Sequence, residues 1–461
     1  MPTGIRARKN GASSPRRTAR VWRGLGRGLV LGCLLACGSP FLGTPFMSRA
    51  WADDQAGAKL ELPATNDGLP GEGPIRRYDW FRDLWNQRRG AWAKRLEADR
   101  GTVVFLGDSI TQGWGDNLGG TWPGLKVANR GISGDTTRGM LLRLPGDVLA
   151  LQPAAVVVLA GTNDLEEQAT PEQVAANFRL LIAALKKHRA DLPVVICQVF
   201  PSSASKQRPA EKIKKINALL AGLVKTEPQV TLVDTWTLFA NAEGDAKPEE
   251  FPDVLHPNEL GYRKWGRALT PVLATLGLVE KDADPFTPEA GFESLFNGRD
   301  LTGWGFRNPQ TLERIAEQEF GSKTQSGDGR YRAIAGRLVV TTPPEGSRIQ
   351  QLWTTREFAG DFTLKLEFRA TPNADSGVFI KRPQLQCRDY PLAGPYKNLK
   401  GYKPQDWNEL VVEVRGGKAR CTCNGEVLEE AFALPEAGPV GLEGDRGQME
   451  YRRIRLKPGT P

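Results

Sequence analysis

Five short β-branched runs, alternating with stretches of helical period, constrain this chain more than any other feature. The runs are 102–106, 126–129, 154–160, 193–199 and 230–233; the helical stretches lie around 137–144, 171–189, 209–225 and 257–276. Polar alternation is missing from runs such as Val103-Val-Phe-Leu and Ala155-Val-Val-Val-Leu159. A strand apolar on both faces must be covered on both faces, and crossover helices do this for a parallel sheet. The expected fold over 77–280 is α/β: a doubly wound parallel five-stranded sheet of the flavodoxin-like kind. Ahead of it, Trp80, Phe81, Leu84, Trp85, Trp92 and Leu96 recur at helical spacing, which reads as an amphipathic helix whose aromatic stripe is core.

Helical texture then stops. Lys281-Asp-Ala-Asp-Pro-Phe-Thr-Pro-Glu289 reads as a linker over 281–290. Beyond it, runs at 337–341, 362–368, 377–380, 409–414 and 449–456 alternate apolar with polar residues, and Asn424-Gly425 is a hairpin-turn signal. An all-β sandwich over 291–457 is the expected second domain.

The net charge of +9 suggests nucleic-acid binding until its location is considered. Residues 1–50 hold nine basic side chains and no acidic one, which leaves 53 basic against 53 acidic in the remainder. A neutral body lacks the positive excess that non-specific phosphate binding requires, so no nucleic-acid partner is expected. The basic stretch runs into Gly28-Leu-Val-Leu-Gly-Cys-Leu-Leu-Ala-Cys37, then Pro40 and Pro45, then Ala50-Trp51-Ala52. An apolar core of that length, broken by prolines and followed by a small-x-small site, reads as an export signal over 1–52. It does not read as a membrane span of about 20 residues. Leu34-Leu35-Ala36-Cys37 resembles a bacterial lipobox, which would make Cys37 a lipidated terminus, and Arg16-Arg17 is a candidate twin-arginine pair. Cleavage near Ala52, with a flexible leader over 53–76, is the preferred reading, and it gives a periplasmic or extracellular location. Export permits disulfides. Cys197, in an apolar run, is expected to be a packed free thiol; pairing of Cys387 with Cys421 or Cys423 stays open on spacing alone.

Ser109 follows the first run in Val103-Val-Phe-Leu-Gly-Asp-Ser109, at the carboxyl edge where open α/β sheets bind ligands. A serine hydroxyl needs a base, and that base needs a carboxylate to fix its tautomer. The chain has two histidines. His188 falls in Lys186-Lys-His-Arg189 and reads as solvated; His256 falls in Asp253-Val-Leu-His256-Pro257, before a helix expected to open at Pro257. Asp253 and His256 are thus the candidate orienter and base. Gly134, after the second run, and Asn163, after the third, supply an N–H and an amide suited to an oxyanion. Asp108, Trp114 and Asp164, beside these positions, are candidates for lining a substrate pocket. No metal or cofactor is called for.

Gly107-Asp-Ser109, Gly134, Gly161-Thr-Asn163-Asp164 and Asp253-x-x-His256 resemble the four ordered blocks of the SGNH (GDSL) hydrolase family, over roughly residues 77–279. Asn129-Arg-Gly-Ile-Ser-Gly-Asp-Thr-Thr-Arg138 and Leu159-Ala-Gly-Thr-Asn-Asp164 are similar to the branch that contains platelet-activating-factor acetylhydrolase catalytic subunits. The resemblance implies Ser109 as nucleophile, His256 as general base and then acid, and Asp253 as its orienter. It implies an oxyanion hole from the N–H groups of Ser109 and Gly134 and the amide of Asn163. The branch spans lipid, thioester and acetylated-sugar esterases.

Gly291-Phe-Glu-Ser-Leu-Phe-Asn-Gly-Arg-Asp-Leu-Thr-Gly-Trp304, Gly360-Asp-Phe-Thr-Leu-Lys-Leu-Glu-Phe368, Asp375-Ser-Gly-Val-Phe379, Trp407-Asn-Glu409 and Gly438-Pro-Val-Gly-Leu442 resemble the 3-keto-disaccharide hydrolase domain family. That family has a concanavalin-like jelly-roll fold. Its stretch after the Ser-Gly segment often reads Glu-x-Gln-x-x-Asp, whereas Gln384-Leu-Gln386-Cys-Arg-Asp389 has glutamine at the first place. The resemblance therefore implies that a proton-transfer carboxylate is missing, and that the module binds glycans or is weakly active; Asp389, Gln386 and Glu367 are its candidate site residues. The expectation for the whole chain is an exported serine esterase acting on carbohydrate or other small esters. The alternatives are a glycoside hydrolase working through the C-terminal domain and a non-catalytic glycan binder.

Overall fold

The computed structural model describes residues 60–283, 285–341 and 350–459. The expected export signal over 1–52, with Cys37 and Ala50-Trp51-Ala52, lies outside the described residues. Strands β1 (Val103–Gly107), β2 (Val127–Gly131), β3 (Ala155–Leu159), β4 (Val194–Cys197) and β5 (Val230–Val233) form a parallel sheet of order β2-β1-β3-β4-β5. Period-two side-chain alternation splits each strand between two cores. Val104, Leu106, Val156, Val158, Val194 and Ile196 enter one core; Val103, Phe105, Val157, Val195 and Cys197 enter the other.

Helix α1 (Asp79–Ala93) precedes the sheet, and α2 (Ser109–Gly113) follows β1 directly. Helices α3 (Thr137–Asp147), α5 (Pro171–His188) and α6 (Ala210–Val224) cover one face of the sheet; between α3 and α5 lies the short α4 (Thr162–Glu166). α7 (Thr235–Phe239) and α8 (Glu259–Thr275), with Ile110 of α2, cover the other face. Local signals set the ends of α5. Thr170 and Gln173 form a reciprocal capping box, proline stands in the first turn, and Lys186, Lys187 and His188 meet the negative end of the dipole.

Two expectations about boundaries are corrected. Residues 60–76 are not a flexible leader: Leu62 and Ile75 bury against Phe81, Trp85, Trp92 and Ile132, and Leu60 O accepts from Trp85 Nε1 (2.8 Å) and Arg89 Nη1 (3.0 Å). Pro257 does not open α8. Asn258 caps it, accepting from Gly261 N–H, so Pro257 stays in the loop. The aromatic stripe of α1 also divides: Phe81, Trp85 and Trp92 are buried, Trp80 is 51% exposed, and Leu96 lies past the helix end.

The C-terminal domain packs two large antiparallel sheets on one core, a jelly-roll-type sandwich, with a small two-stranded pair beside them (Phe358–Ala359 and Ala437–Gly438). The strand Phe362–Ala370 pairs with Asn408–Arg415 on one side and Met449–Pro458 on the other, within an eight-stranded sheet. Leu364, Leu366, Val412 and Tyr451 from this sheet meet Trp304, Leu352, Val378 and Leu442 from the six-stranded one. Asn424 and Gly425, both at positive φ, turn the expected hairpin. Cys387, Cys421 and Cys423 are free and buried, so the bridge left open on spacing is not formed; each is packed as a small apolar side chain. Cys197 is likewise free, accepting from Trp265 Nε1 at 3.3 Å. The sandwich docks on α8: Gln448 Nε2 donates to Pro271 O (3.0 Å) and Thr275 Oγ1 (2.9 Å), and Arg337 Nη2 donates to Ala274 O (3.1 Å).

Candidate active site

The order 2-1-3-4-5 reverses at β1 and β3, and the loops leaving their carboxyl ends open a crevice. Ser109 leaves β1 as the first residue of α2, with Asp108 as cap: Asp108 Oδ1 accepts from Ile110 N–H at 2.9 Å. The turn has no room for a side chain at Gly107, where a Cβ would lie 2.0 Å from Thr111 Oγ1 and 2.8 Å from Leu159 O. Ser109 Oγ stands 3.0 Å from His256 Nε2, and His256 Nδ1 stands 2.8 Å from Asp253 Oδ2. The three side chains, remote in sequence, are in hydrogen-bond contact.

The loop that carries the imidazole is tightly wound. Asp253 Oδ1 accepts from the N–H groups of His256 (2.7 Å) and Leu255 (3.1 Å), while Val254 sits at φ +56. A β-branched residue in the left-handed region is a true outlier, and such strain gathers where a loop must aim a functional group. Partial burial acts to raise the Asp253 carboxyl, but the hydrogen bonds from His256 and Leu255 outweigh it and hold the group at about 2. Asp253 is therefore ionised throughout the neutral range. His188, by contrast, is exposed at the end of α5, as a solvated role requires.

Gly134 sits at φ +86 in the loop after β2, and its N–H has no acceptor among the described residues. The Ser109 N–H, first in its helix, has no intrahelical acceptor. Asn163 Nδ2 donates to Asp135 O at 3.0 Å and, more weakly, to Asp108 Oδ2 at 3.4 Å. These donors, the serine hydroxyl and the imidazole suit acyl transfer, in which an alkoxide attacks a carbonyl and the resulting oxyanion needs N–H groups.

The candidate pocket residues are not pocket residues. Asp108, Trp114 and Asp164 are 0%, 5% and 1% exposed. Asp108 caps α2, and Asp164 accepts from Thr137 N–H and Oγ1, which ties the second block to the third. Burial pushes both carboxyls up to about 6. Trp114 packs against Phe105, Trp122, Tyr262 and Trp265. Near a turn the sequence cannot distinguish a polar residue facing the crevice from one supporting it.

Sequence reasoning missed the arginines that join the blocks. Buried Arg143 donates to Asp135 Oδ2 (2.7 Å) and Gly107 O (3.0 Å). Buried Arg208 donates to Asn163 Oδ1 (3.1 Å), Thr162 O (3.0 Å) and Glu166 Oε2 (2.7 Å), which fixes the face that the Asn163 amide presents. Arg76 pairs with Glu166 and Glu167. The positions of Arg208 in a loop and Arg143 on an apolar helix carry no periodic signal that would reveal them.

In the sandwich, Asp389 is fully buried, accepting from Asn373 N–H (2.9 Å) and Gln405 Nε2 (3.0 Å), and burial raises it to about 6. Glu367 is held by Arg452 and Arg453, both at 2.7 Å, and half-buried Gln386 accepts at its backbone carbonyl from Tyr390 OH (3.0 Å). Asp389 and Glu367 thus serve packing and pairing. Gln384, at the first place of that stretch, donates from Nε2 to Glu443 Oε2 at 2.7 Å. Among the described residues no group of three His, Cys, Asp or Glu is disposed to hold a metal ion, and no helix is long and apolar enough to cross a membrane. A cleft of about 1170 Å³ lies at the opposite end of the α/β sheet, beside Gly101, Lys126 and Ala154, and includes none of the block residues.

The fold and its carboxyl edge define a serine ester hydrolase joined to a β-sandwich module. Residues 105–264 are a GDSL-like lipase/acylhydrolase family domain, and residues 291–457 are a 3-keto-alpha-glucoside-1,2-lyase-like domain of the 3-keto-disaccharide hydrolase family. The chain is 27% identical over 189 residues to the platelet-activating factor acetylhydrolase IB subunit alpha2 of Homo sapiens, covering 40% of this chain and 80% of that protein. It is 32% identical over 99 residues to thioesterase 1/protease 1/lysophospholipase L1 of Escherichia coli (strain K12), covering 20% of this chain and 48% of that one. The crystal structure of a GDSL-like lipase from Bacteroides thetaiotaomicron aligns at a TM-score of 0.37 and 25% identity, over 42% of this chain and 97% of that one.

Proposed function

We propose that the protein is an exported esterase that removes O-acyl groups from carbohydrates or other small esters by a serine–histidine–aspartate mechanism, with the sandwich engaging the glycan. The observation that carries this reading is the unbroken contact from Ser109 Oγ through His256 to Asp253. Ser109 Oγ attacks the acyl carbon while its proton passes to His256 Nε2. The imidazolium is stabilised by ionised Asp253. The carbonyl oxygen becomes an oxyanion received by the N–H groups of Ser109 and Gly134 and by Asn163 Nδ2, in exchange for the long contact of that amide to Asp108. Collapse breaks the ester C–O bond, and His256 returns the proton to the leaving alcohol. Water, deprotonated by His256, then releases the acid and restores Ser109.

The carbohydrate assignment is supported by the fused sandwich family, and the export assignment by the basic, apolar and small-x-small segments over 1–52. The test is turnover of p-nitrophenyl acetate, sugar acetates and acetylated xylan by the mature chain and by Ser109→Ala. Abolition of all three activities in the variant is expected; an unchanged rate on any of them overturns the role of Ser109. N-terminal sequencing of protein from the cell exterior is expected to begin near Asp53, and retention of residues 1–52 refutes export by cleavage.

A further inference from the structure

Trp80 is the residue whose placement the core does not explain. Helix α1 turns Phe81, Trp85 and Trp92 inward; Trp80, one position before Phe81, is about 100° away around the helix and faces outward at 51% exposure. Its ring stacks on that of Tyr78, itself 54% exposed, at 6.3 Å and 14°, and Phe81 meets it edge-on at 5.7 Å from below. The end of the indole lies against Gly134: a Cβ there would come within 2.7 Å of Trp80 Cη2 and 2.9 Å of Arg76 Nη1. The half-exposed Trp80 ring, with Tyr78 stacked on it, thus borders the glycine whose N–H has no acceptor among the described residues.

The rim of this aromatic surface is polar. Tyr78 OH reaches Glu167 Oε1 at 3.4 Å, and Arg76 ties Glu167 and Glu166 beneath it. An acyl chain gains most from apolar enclosure on several sides, whereas Trp114, five residues past the nucleophile, is closed into the core. A sugar ring differs: it offers one apolar C–H face and a girdle of hydroxyls, and it fits a flat aromatic surface edged by carboxylates and a guanidinium.

We propose that Trp80, backed by Tyr78, is the stacking platform for the sugar ring of an acylated-carbohydrate substrate, setting specificity while the ester reaches Ser109. This rests on the esterase reading above. The experiment compares wild type, Trp80→Ala, Trp80→Phe and Tyr78→Ala on acetylated xylo-oligosaccharides, p-nitrophenyl acetate and p-nitrophenyl octanoate, with thermal midpoints to check folding. The ratio of kcat/KM for acetylated sugar to that for p-nitrophenyl acetate is expected to fall about ten-fold in Trp80→Ala, through KM, and to recover largely in Trp80→Phe. An unchanged ratio, with wild type active on the sugars, overturns the platform and leaves the esterase reading standing. A selective loss on the octanoate instead assigns the surface to acyl chains and also overturns the proposal. A wild type that cleaves p-nitrophenyl acetate but no acetylated sugar refutes the carbohydrate reading itself.

Discussion

Replacement of Asp253 by asparagine separates the electronic role of this side chain from its structural one, because the structure dictates which way the new amide must face. One carboxylate oxygen accepts two backbone N–H groups, from His256 and Leu255; the other meets His256 Nδ1. Backbone N–H groups can only donate, so the asparagine oxygen has to stay on them and its NH2 has to face the ring. The reversed orientation opposes donors to donors and gives up two hydrogen bonds of about 1 kcal/mol each, leaving it roughly 30-fold less populated. An NH2 group against Nδ1 forces the ring proton onto Nε2, which then donates to Ser109 Oγ where a base must accept. The expected loss in kcat is about 10⁴-fold, on the order of 5 kcal/mol in activation free energy. Stability should barely change. Asp253 and His256 are each 44% exposed, so solvent screening holds the ionic part of their pairing to about 1 kcal/mol or less. The assay is p-nitrophenyl acetate hydrolysis at pH 7.5, paired with nitrogen NMR of histidine-labelled protein. With two histidines in the chain, solvated His188 serves as the internal reference. More than a tenth of the wild-type rate, or a full loss without the tautomer shift at His256, refutes the reasoning.

Removing the amide in Asn163→Ala should lower kcat on the order of 10²-fold with KM within a few-fold; equal damage to binding and turnover would count against an oxyanion donor. Gly107→Ala drives a methyl into Thr111 and the Leu159 carbonyl, so it should destabilise the domain by at least about 2 kcal/mol in urea unfolding, and a neutral result would contradict the packing described for that turn. Burial lifts Asp108, Asp164 and Asp389 to about 6, above the ordinary aspartate value near 3.9. Between about pH 4 and 6 the folded state therefore binds more protons than the unfolded one, and these groups make stability fall as pH rises through that window. Asp253, held at about 2, acts in the opposite sense below pH 4. The thermal midpoint should peak near pH 4 and decline between about pH 4 and 6, and a midpoint that climbs steadily to pH 8 would refute the burial argument.

Much of this protein is legible before any coordinates are seen, because the two sheet types impose different periods on the chain. Runs without polar alternation in β1, β3 and β4 must be covered on both faces, whereas the alternating pattern of Phe362–Ala370 marks a strand of the antiparallel sandwich. The serine, the imidazole, their carboxylate and the oxyanion candidates were likewise nameable, since each sits just past the end of a strand or just before a helix. What the sequence could not decide is which polar side chain faces the crevice and which faces inward. Asp108 and Asp164 have the same composition and local setting as groups that meet solvent, yet they are sealed, by groups arriving from elsewhere in the fold: Asn163 Nδ2 at Asp108 and Thr137 at Asp164. Trp80 and Trp85 read as one stripe until the helix is set against Ile132, when a rotation of about 100° per residue leaves the first in water and the second in the core. Periodicity along the chain is a local property and survives in the sequence; the partner across a gap of a hundred residues is not, and only folding supplies it.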